Sequence, residues 1–508
     1  MFGRAAGAHS EGGRMVQAGS GVRIALALVT AAVAGAVTAA TLPVGPVTTV
    51  HALAVMTSGL LLGAVGGWAG RSAWMVVPLV LAYGIALEIV RLDVSVPTID
   101  DVRLDSIYGV LALTVSRGLH AILLVLPMLV GARLGVALTR RRAGTPPGPR
   151  RGLVLTSVLG VLTLVLAALV VRPASTPAVL GPDGQPVGVA ALETVSLGGD
   201  DHALMIRAAD PGRPVLLYLS GGPGQSDMAL ARALAEPWVD DVVFATYDQR
   251  GNGKSYGALF PTDETTLERV VADTVEVAEY LRDRFDEDRI YLMGESWGTI
   301  LGVRTVQQRP DLFAAYLGSG QMVNVRETDR RIYRDLQEYA TRTGDTDLAA
   351  TLQEIGEPPY ADIPWANAQI LAAYDHLYDP YEPAAGYRAR GEASGLDGFG
   401  ILGTEYSLMD KANVLRGLID TFTVMYPQIQ DIDFRRDATR LEVPVYILDG
   451  AAELDGRREL LLEWFTLLDA PEKRLITFDD AAHAVAFEQA DAVEQLLRDD
   501  VIPRTSGR

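Results

Sequence analysis

Residues 290–298 read Ile-Tyr-Leu-Met-Gly-Glu-Ser-Trp-Gly, a short apolar run followed at once by a Gly-x-Ser-x-Gly motif. The apolar spacing of residues 299–308 predicts a helix directly after the motif. Small residues around Ser296 permit a sharp strand-to-helix turn that pushes the serine hydroxyl out of a sheet. The helix that follows would direct the positive end of its dipole at a developing oxyanion. The stretch therefore predicts a nucleophile at Ser296, and the alternative is an ordinary turn of small residues.

A second glycine-rich turn follows the predicted strand at 215–219, where residues 220–224 read Ser-Gly-Gly-Pro-Gly. Glycines let the backbone come close to a bound group, so a backbone N–H can point into a site. The N–H groups of Gly222 and Trp297 would together form an oxyanion hole with two donors. The alternative is a tight loop with no part in the chemistry.

Two acid–base candidates, Glu453 and His483, each come a few residues after a predicted strand near the C-terminus. Serine, acid and histidine then occur along the chain in an order known for hydrolytic triads. Of six histidines, only His483 lies beyond both Ser296 and a candidate acid. His483 would take the proton from the serine, and the acid would fix its tautomer and offset its charge. Asp455 remains the alternative acid.

Short β-rich runs alternate with longer amphipathic stretches from residue 187 onward. The predicted strands are 189–197, 204–208, 215–219, 242–247, 290–293, 313–317, 443–448 and 475–478. The predicted helices are 265–285, 299–308, 457–468 and 485–498. This alternation predicts an α/β domain with a mostly parallel sheet. From residue 322 to 441 the alternation stops, which predicts a helical cap inserted between two core segments, 187–321 and 442–503.

Composition excludes several classes of protein. The 508 residues hold 44 Lys and Arg against 63 Asp and Glu, a net charge of −19, which argues against a nucleic-acid partner. The chain has no cysteine, so disulfides, thiolate metal sites and a cysteine nucleophile are excluded. Histidine and acidic residues show no metal-ligand spacing, and we predict neither a metal nor a cofactor.

The first third of the chain is basic and strongly apolar. Residues 1–171 hold 13 Arg, no Lys and 6 acidic residues, so the remaining residues carry a net charge of −26. The apolar runs lie at 24–42, 51–68, 74–87, 118–138 and 153–171. Each is close to the roughly 20 residues that a membrane-spanning helix needs. We therefore predict a transmembrane region of five helices over 1–172; buried core helices, the alternative, would show a polar stripe.

The loops between these runs predict an orientation. Arginines precede the first run, at Arg4, Arg14 and Arg23, and cluster at 140–151, whereas 43–50 is uncharged. Because basic loops stay in the cytoplasm, we expect the N-terminus inside and everything after residue 171 outside. The first run also has features of a cleaved signal peptide, which would leave four spans and the same outward placement. Residues 173–186, rich in Pro, Gly, Ser and Thr, are the predicted linker.

Residues from about 187 to 500 resemble the α/β-hydrolase fold and, within it, the prolyl-iminopeptidase-like serine hydrolases. The motifs that carry the resemblance are Gly-Gly-Pro-Gly at 221–224, Asp-Gln-Arg-Gly-Asn-Gly-Lys-Ser at 248–255 and Gly-Glu-Ser-Trp-Gly-Thr at 294–299. The resemblance implies Ser296 as nucleophile, His483 as base and backbone donors at Gly222 and Trp297. Two departures are Ser220 and Glu453, which stand where the family usually has His and Asp.

The resemblance implies an aminopeptidase that releases N-terminal residues, with proline as a candidate, from short peptides. The predicted membrane spans lie outside the resemblance and would anchor this enzyme. The resemblance also implies that acidic cap residues bind the free α-amino group, because a desolvated ammonium needs a charged partner. Glu327 is the candidate, and a solvated surface glutamate is the alternative. An ester or lipid hydrolase with the same triad is a second hypothesis. A binding or sensor domain without catalysis, on a membrane anchor, is a third.

Overall fold

The computed structural model describes residues 8–92, 107–146, 150–394 and 400–505. They form two compact units, one built mainly from the chain up to Pro173 and the other mainly from Ala174 onward. We call them the apolar unit and the α/β unit. Arg4 and most of the loop before residue 107, which contribute to the predicted orientation, lie outside the described residues.

The apolar unit is entirely helical in its described part. Its helices are α1 Ala8–Thr41, α2 Thr49–Gly70, α3 Val76–Arg91, α4 Ile107–Leu113, α5 Leu119–Arg142 and α6 Arg150–Val171. Five described segments are long and apolar enough to span a membrane, namely Ser20–Thr41, Thr49–Gly70, Ala73–Arg91, Val110–Arg142 and Arg150–Val171. Their number and positions agree with the five predicted apolar helices.

Helices α2 and α5 pack with their backbones in direct contact. A Cβ added at Gly63 would collide with the carbonyl oxygen of Met128, and one added at Gly131 would collide with that of Leu60. In a lipid environment close packing of small residues is a main source of helix association, because burial of apolar surface contributes little. The glycines of these two helices are therefore packing residues.

The α/β unit is built on one eight-stranded sheet. Its strands are β1 Val189–Leu197, β2 Asp200–Ala208, β3 Val215–Leu219, β4 Val243–Tyr247, β5 Ile290–Glu295, β6 Phe313–Ser319, β7 Val445–Gly450 and β8 Lys473–Phe478. Their order is β1-β2-β4-β3-β5-β6-β7-β8. The two pairings of β2 are antiparallel and the others are parallel. All eight predicted strands are present, and the mostly parallel sheet is confirmed.

Helices cover both faces of this sheet. Those of the core are α7 Met228–Leu234, α8 Leu267–Phe285, α9 Trp297–Gln308, α17 Asp455–Leu467, α18 Val485–Glu488, α19 Ala490–Leu496 and α20 Ile502–Thr505. Strands β3, β4, β5 and β7 are buried at every position, as expected for parallel strands covered on both faces. Alternate residues face opposite cores, so that Leu217 packs on one side of the sheet and Tyr218 on the other.

The segment between β6 and β7 contains helices and connecting loops, and no strand, among the residues that the structure describes. Its helices are α10 Val325–Thr343, α11 Thr346–Ile355, α12 Ile363–Ala373, α13 Asp375–Tyr378, α14 Ala385–Ser394, α15 Leu408–Met425 and α16 Phe434–Asp437. We call residues 322–441 the cap, with the bounds predicted from the sequence. The linker predicted at 173–186 contains no helix, and within it Leu180 pairs with Pro186.

Candidate active site

Ser296 occupies a strained turn between β5 and α9. Its φ of 51° lies in the left-handed region, which costs a non-glycine residue about 1–3 kcal/mol. The flanking glycines make the turn possible, because a Cβ at Gly294 would collide with the carbonyl oxygen of Gly298, and one at Gly298 with that of Leu219. The Ser296 N–H donates to the carbonyl oxygen of Ser319 over 3.0 Å. This serine turn (residues 294–298) therefore forms only where β3, β5 and β6 are neighbours in the sheet.

His483 and Glu453 form a hydrogen-bonded acid–histidine pair at the ends of β8 and β7. Nδ1 of His483 bonds Oε2 of Glu453, which leaves Nε2 of the ring available to a second partner. Oε1 of Glu453 accepts the N–H of Leu454 at 2.8 Å and Nη1 of Arg457 at 3.1 Å. Asp455, the alternative acid, is exposed at the start of α17 and makes no hydrogen bond with His483 in the described structure.

The pair keeps Glu453 ionised. Burial by itself raises the pKa of Glu453, but the facing charges of His483 and Arg457 outweigh burial and hold that pKa well below its ordinary value. Both carboxylate oxygens are occupied by donors, which also favours the charged form. A fixed negative charge therefore faces the histidine ring at neutral pH.

The end of β6 lies between the serine turn and the histidine loop (residues 479–484). Ser319 accepts the Ser296 N–H with its carbonyl and the Ala486 N–H with its hydroxyl, at 3.0 Å each. A Cβ added at Gly320 would lie 2.9 Å from Nδ1 of His483. Ser296 and His483 are both partly exposed. Within the described residues no hydrogen bond joins the serine hydroxyl to the histidine ring, and such bonds are often long before substrate binds.

The glycine-rich turn lies against the serine. A Cβ added at Gly221 would be 3.5 Å from Cβ of Ser296, and Gly222 has a φ of 118°, which favours glycine. Trp297 is the first residue of α9, where backbone N–H groups have no partner within the helix. These are the two residues predicted to supply the oxyanion donors.

Gln249 joins the two predicted oxyanion segments. Its Oε1 accepts the indole N–H of Trp297 at 2.8 Å, and its Nε2 donates to the carbonyl oxygen of Ser220 at 3.2 Å. Sequence analysis did not select Gln249, although it lies in the motif at 248–255. Its neighbour Arg250 binds Asp273 and Asp200. The motif therefore holds the glycine-rich turn against the serine turn.

A buried acidic pair lies behind the serine. The Tyr218 hydroxyl contacts Oε2 of Glu295 at 3.1 Å and Oδ2 of Asp227 at 3.4 Å. Burial raises the pKa of Glu295 to about 7 and raises that of Asp227 well above its ordinary value, with the charge of Glu295 adding to the effect at Asp227. Sequence analysis missed this pair, because Asp227 is remote from the motif.

Glu327 lies in the first turn of α10 and binds two guanidinium groups, those of Arg331 and Arg435. Burial raises the pKa of Glu327, but these two arginines outweigh it and lower the pKa overall. The charge of this carboxylate is thus already balanced within the protein. Its predicted role in binding an amino group stays a prediction.

Asp329, two residues further along α10, has a different environment. It accepts the Tyr426 hydroxyl at 2.6 Å, and no Lys or Arg of the described chain lies within 4 Å of its carboxylate. Burial raises its pKa to about 6, opposed by the Tyr426 hydrogen bond and the charge of Arg457. Arg457 also binds Glu453, so Asp329 belongs to the same cluster as the acid–histidine pair. Sequence analysis did not select it.

No group of three or more His, Asp and Glu side chains in the described residues could hold a metal ion. The polar groups at the strand ends are instead a serine, an acid–histidine pair and free backbone N–H groups. This set can transfer an acyl group by general acid–base chemistry.

Comparison with known proteins agrees with this geometry. Residues 214–356 match the family described as alpha/beta hydrolase fold. The α/β unit has the α/β-hydrolase fold. Over 302 residues the chain is 28% identical to a probable aminopeptidase, YbaC, of Bacillus subtilis, covering 59% of this chain and 93% of that protein. It is 26% identical to a probable proline iminopeptidase of Streptomyces coelicolor over 196 residues, which cover 38% of this chain and 57% of that protein.

A crystal structure of proline iminopeptidase from Mycobacterium smegmatis aligns with the α/β-hydrolase unit, covering 62% of this chain and 99% of that protein. The identity is 16% and the TM-score is 0.44. The family match and the named relatives agree with the α/β-hydrolase fold and with the proline iminopeptidase-like resemblance.

Glu295 should make the stability of the α/β-hydrolase unit depend on pH. A pKa of about 7 in the folded protein, against an ordinary value of 4.5, contributes stability that is present below pH 4.5 and lost as the pH rises through 7. The full loss is about 3 kcal/mol. We expect Glu295→Gln to match the wild type near pH 4.5 and to melt at a higher temperature near pH 8.

Thermal unfolding of the full chain in one detergent, from pH 4.5 to 8.5, measures this difference. Glu268→Gln is the matched control, because Glu268 is exposed in the first turn of α8. It should reproduce the wild-type pH dependence. Parallel curves for Glu295→Gln and the wild type would show that Glu295 is ionised in the folded state throughout.

Proposed function

We propose that this protein is a membrane-anchored serine hydrolase that releases N-terminal residues from short peptides through an acyl-enzyme on Ser296. The observation that supports the proposal is the His483–Glu453 hydrogen bond at the ends of β8 and β7, together with a serine held at a φ of 51° after a parallel strand. A nucleophile, a base and an orienting acid are the groups that acyl transfer requires.

The reaction has two halves. The oxygen of Ser296 attacks the peptide carbonyl while Nε2 of His483 takes the hydroxyl proton, and the Glu453 carboxylate offsets the imidazolium charge. The N–H groups of Gly222 and Trp297 bind the oxyanion. His483 then protonates the departing amine as the C–N bond breaks. A water molecule attacks the acyl-enzyme by the same route, releasing the amino acid and restoring the serine.

A substrate with a free α-amino group is favoured by Asp329, a half-buried acid of the cap. An ammonium leaving water needs a carboxylate that is not already neutralised. Asp329 meets that need better than Glu327, whose two oxygens are bound by Arg331 and Arg435. The aminopeptidase and proline iminopeptidase names of the relatives support the same substrate class.

For location we propose a multi-pass cell-membrane protein with its catalytic unit outside the cytoplasm. Five helices long and apolar enough to cross a bilayer support the membrane part. The arginines at 140–151 support the orientation, because basic loops remain in the cytoplasm. A free peptide outside the cell would then reach the site without crossing the membrane.

Orientation can be measured with two reporters fused after Arg508. Alkaline phosphatase, which is active only outside the cytoplasm, should be active, and a fluorescent protein that folds only inside should stay dark. The reverse pattern would refute the outward placement. An N-terminal tag that is retained in the purified protein would distinguish five spans from a cleaved first segment.

Removing the nucleophile or its supporting acid should abolish turnover without unfolding the protein. We expect Ser296→Ala to lower kcat by about 10⁴–10⁶-fold and to prevent labelling by a fluorophosphonate. Glu453→Gln should cost about 10³–10⁴-fold, because the histidine loses the charge that orients it. Turnover of amino-acyl amides and probe labelling of the full chain measure both effects.

Asp455→Asn is the matched control for the acid, since Asp455 lies two residues away and is exposed. It should keep nearly full activity. Severe loss in Asp455→Asn with a mild effect in Glu453→Gln would reverse the assignment. A folded wild-type protein that the fluorophosphonate does not label would instead favour a binding or sensor role.

The amine-binding acid can be identified by comparing two variants on two substrates. We expect Asp329→Asn to raise KM at least about tenfold for a free amino-acyl amide, because a charged hydrogen bond to the ammonium is lost. Glu327→Gln should change the KM for this substrate little. The N-acetylated amide should be a poor substrate of the wild type.

Michaelis parameters for the two amides provide the measurement. If Glu327→Gln raises KM and Asp329→Asn does not, the assignment from the resemblance is right and ours is wrong. Equal turnover of the free and acetylated substrates, or preference for a simple ester, would point to the ester or lipid hydrolase instead.

A further inference from the structure

The backbone on both sides of His483 is held by a second carboxylate, that of Glu488. Its Oε2 accepts the N–H of Ala482 at 2.7 Å, and its Oε1 accepts the N–H of Ala484 at 3.1 Å. Glu488 is 7% exposed. His483 is therefore fixed twice, through its ring by Glu453 and through its flanking peptide groups by Glu488.

Two tyrosines of the cap, three residues apart, reach these two carboxylates. The Tyr378 hydroxyl donates to Oε1 of Glu453 at 3.1 Å, and the Tyr381 hydroxyl donates to Oε2 of Glu488. Residues 378–381 therefore form a cap segment, which we call the tyrosine segment. One of its hydroxyls binds Glu453 and the other binds Glu488, the two carboxylates that hold His483.

We propose that Tyr378 and Tyr381 are positioning residues, through which the cap holds His483 in its working orientation by binding Glu453 and Glu488. This inference rests on the proposed function, in which His483 is the base. It assigns to the cap a part in organising the acid–base pair, in addition to covering the substrate.

The direction of the hydrogen bonds supports this assignment. Nη1 of Arg457 donates to the Tyr378 hydroxyl at 3.0 Å, so the hydroxyl proton of Tyr378 is directed at Glu453. Oε1 of Glu453 is then bound by Leu454, Arg457 and Tyr378, which leaves Oε2 to the histidine ring. Hydrogen bonds to an ionised carboxylate are about twice as strong as neutral ones.

The Tyr381 hydroxyl acts, through Glu488, on the histidine loop (residues 479–484). Oε2 of Glu488 serves both the Ala482 N–H and the Tyr381 hydroxyl, so loss of the tyrosine lets that carboxylate turn away from the peptide group. A base displaced by a fraction of an ångström transfers protons poorly, whereas substrate binding elsewhere is unaffected. The two tyrosines should therefore affect kcat more than KM.

The experiment replaces each tyrosine with phenylalanine in the full chain, which removes one hydroxyl and keeps the ring. We expect Tyr378→Phe and Tyr381→Phe each to lower kcat by about tenfold with KM nearly unchanged. The fold loss of kcat in the double variant should be smaller than the product of the two single losses, because both tyrosines act on one histidine.

Tyr360→Phe is the matched control, since the hydroxyl of this cap tyrosine has no hydrogen-bond partner among the described residues. It should retain wild-type kcat.

The pH profile separates positioning from a merely structural role. Tyr378→Phe leaves more negative charge facing the ring, so the acidic limb of kcat/KM should shift to higher pH. Tyr381→Phe acts on the backbone and should lower kcat/KM without that shift. Melting temperatures confirm folding, and either single variant suffices if the other does not fold.

Two outcomes would overturn the inference, and they are distinguishable. If the fluorophosphonate labels the wild type and both tyrosine variants keep the kcat and pH profile of Tyr360→Phe, the tyrosines do not position the histidine, and the proposed function stands. If the folded wild type is not labelled at all, the proposed function fails and this inference fails with it.

Discussion

The α/β-hydrolase unit depends on one backbone constraint, the strained turn at Ser296. A φ of 51° persists at a serine only where its surroundings fix it. Here the Ser296 N–H binds the Ser319 carbonyl, and the Thr299 hydroxyl donates to the Ser296 carbonyl at 2.6 Å. Gly298 meanwhile touches the end of β3. The adjacency of β3, β5 and β6 and the start of α9 all follow from satisfying this turn.

Two buried glutamates near that turn have pKa values shifted in opposite directions for a clear reason. Glu453 faces Arg457 and His483, so positive charge keeps it ionised despite burial. Glu295 faces Tyr218 and Asp227 instead, and burial without a cation raises its pKa. The result is a fixed anion beside the histidine ring and, behind the serine, a pair of acids whose protonated forms burial favours. In the proposed mechanism, an anion behind the serine would oppose the developing oxyanion, and a protonated acid would not.

Sequence reasoning found the features whose signal is local. The strand, glycines and serine at 290–298 are contiguous, and the positions of Glu453 and His483 follow from parallel strands that end at one edge. Glu488 and Asp227 carry no such signal, because no motif marks the peptide groups and the tyrosine that they bind, and Tyr381, the other partner of Glu488, lies in a distant segment. Asp329 and Glu327 are indistinguishable in sequence; only the arginines that fold around Glu327 separate them. Which side chains come into contact depends on the three-dimensional fold, and a single sequence does not show such contacts.

The glutamate at 453 explains why this site needs more support than an aspartate would. Glutamate has one more rotatable bond, and fixing it costs additional side-chain entropy. The structure supplies three donors to Oε1, from Leu454, Arg457 and Tyr378. Two of these come from the residue after the acid and from the helix that follows, and the third comes from the cap. In the proposed triad, one of the three donors to this longer side chain therefore comes from the cap, which agrees with the positioning role proposed for Tyr378.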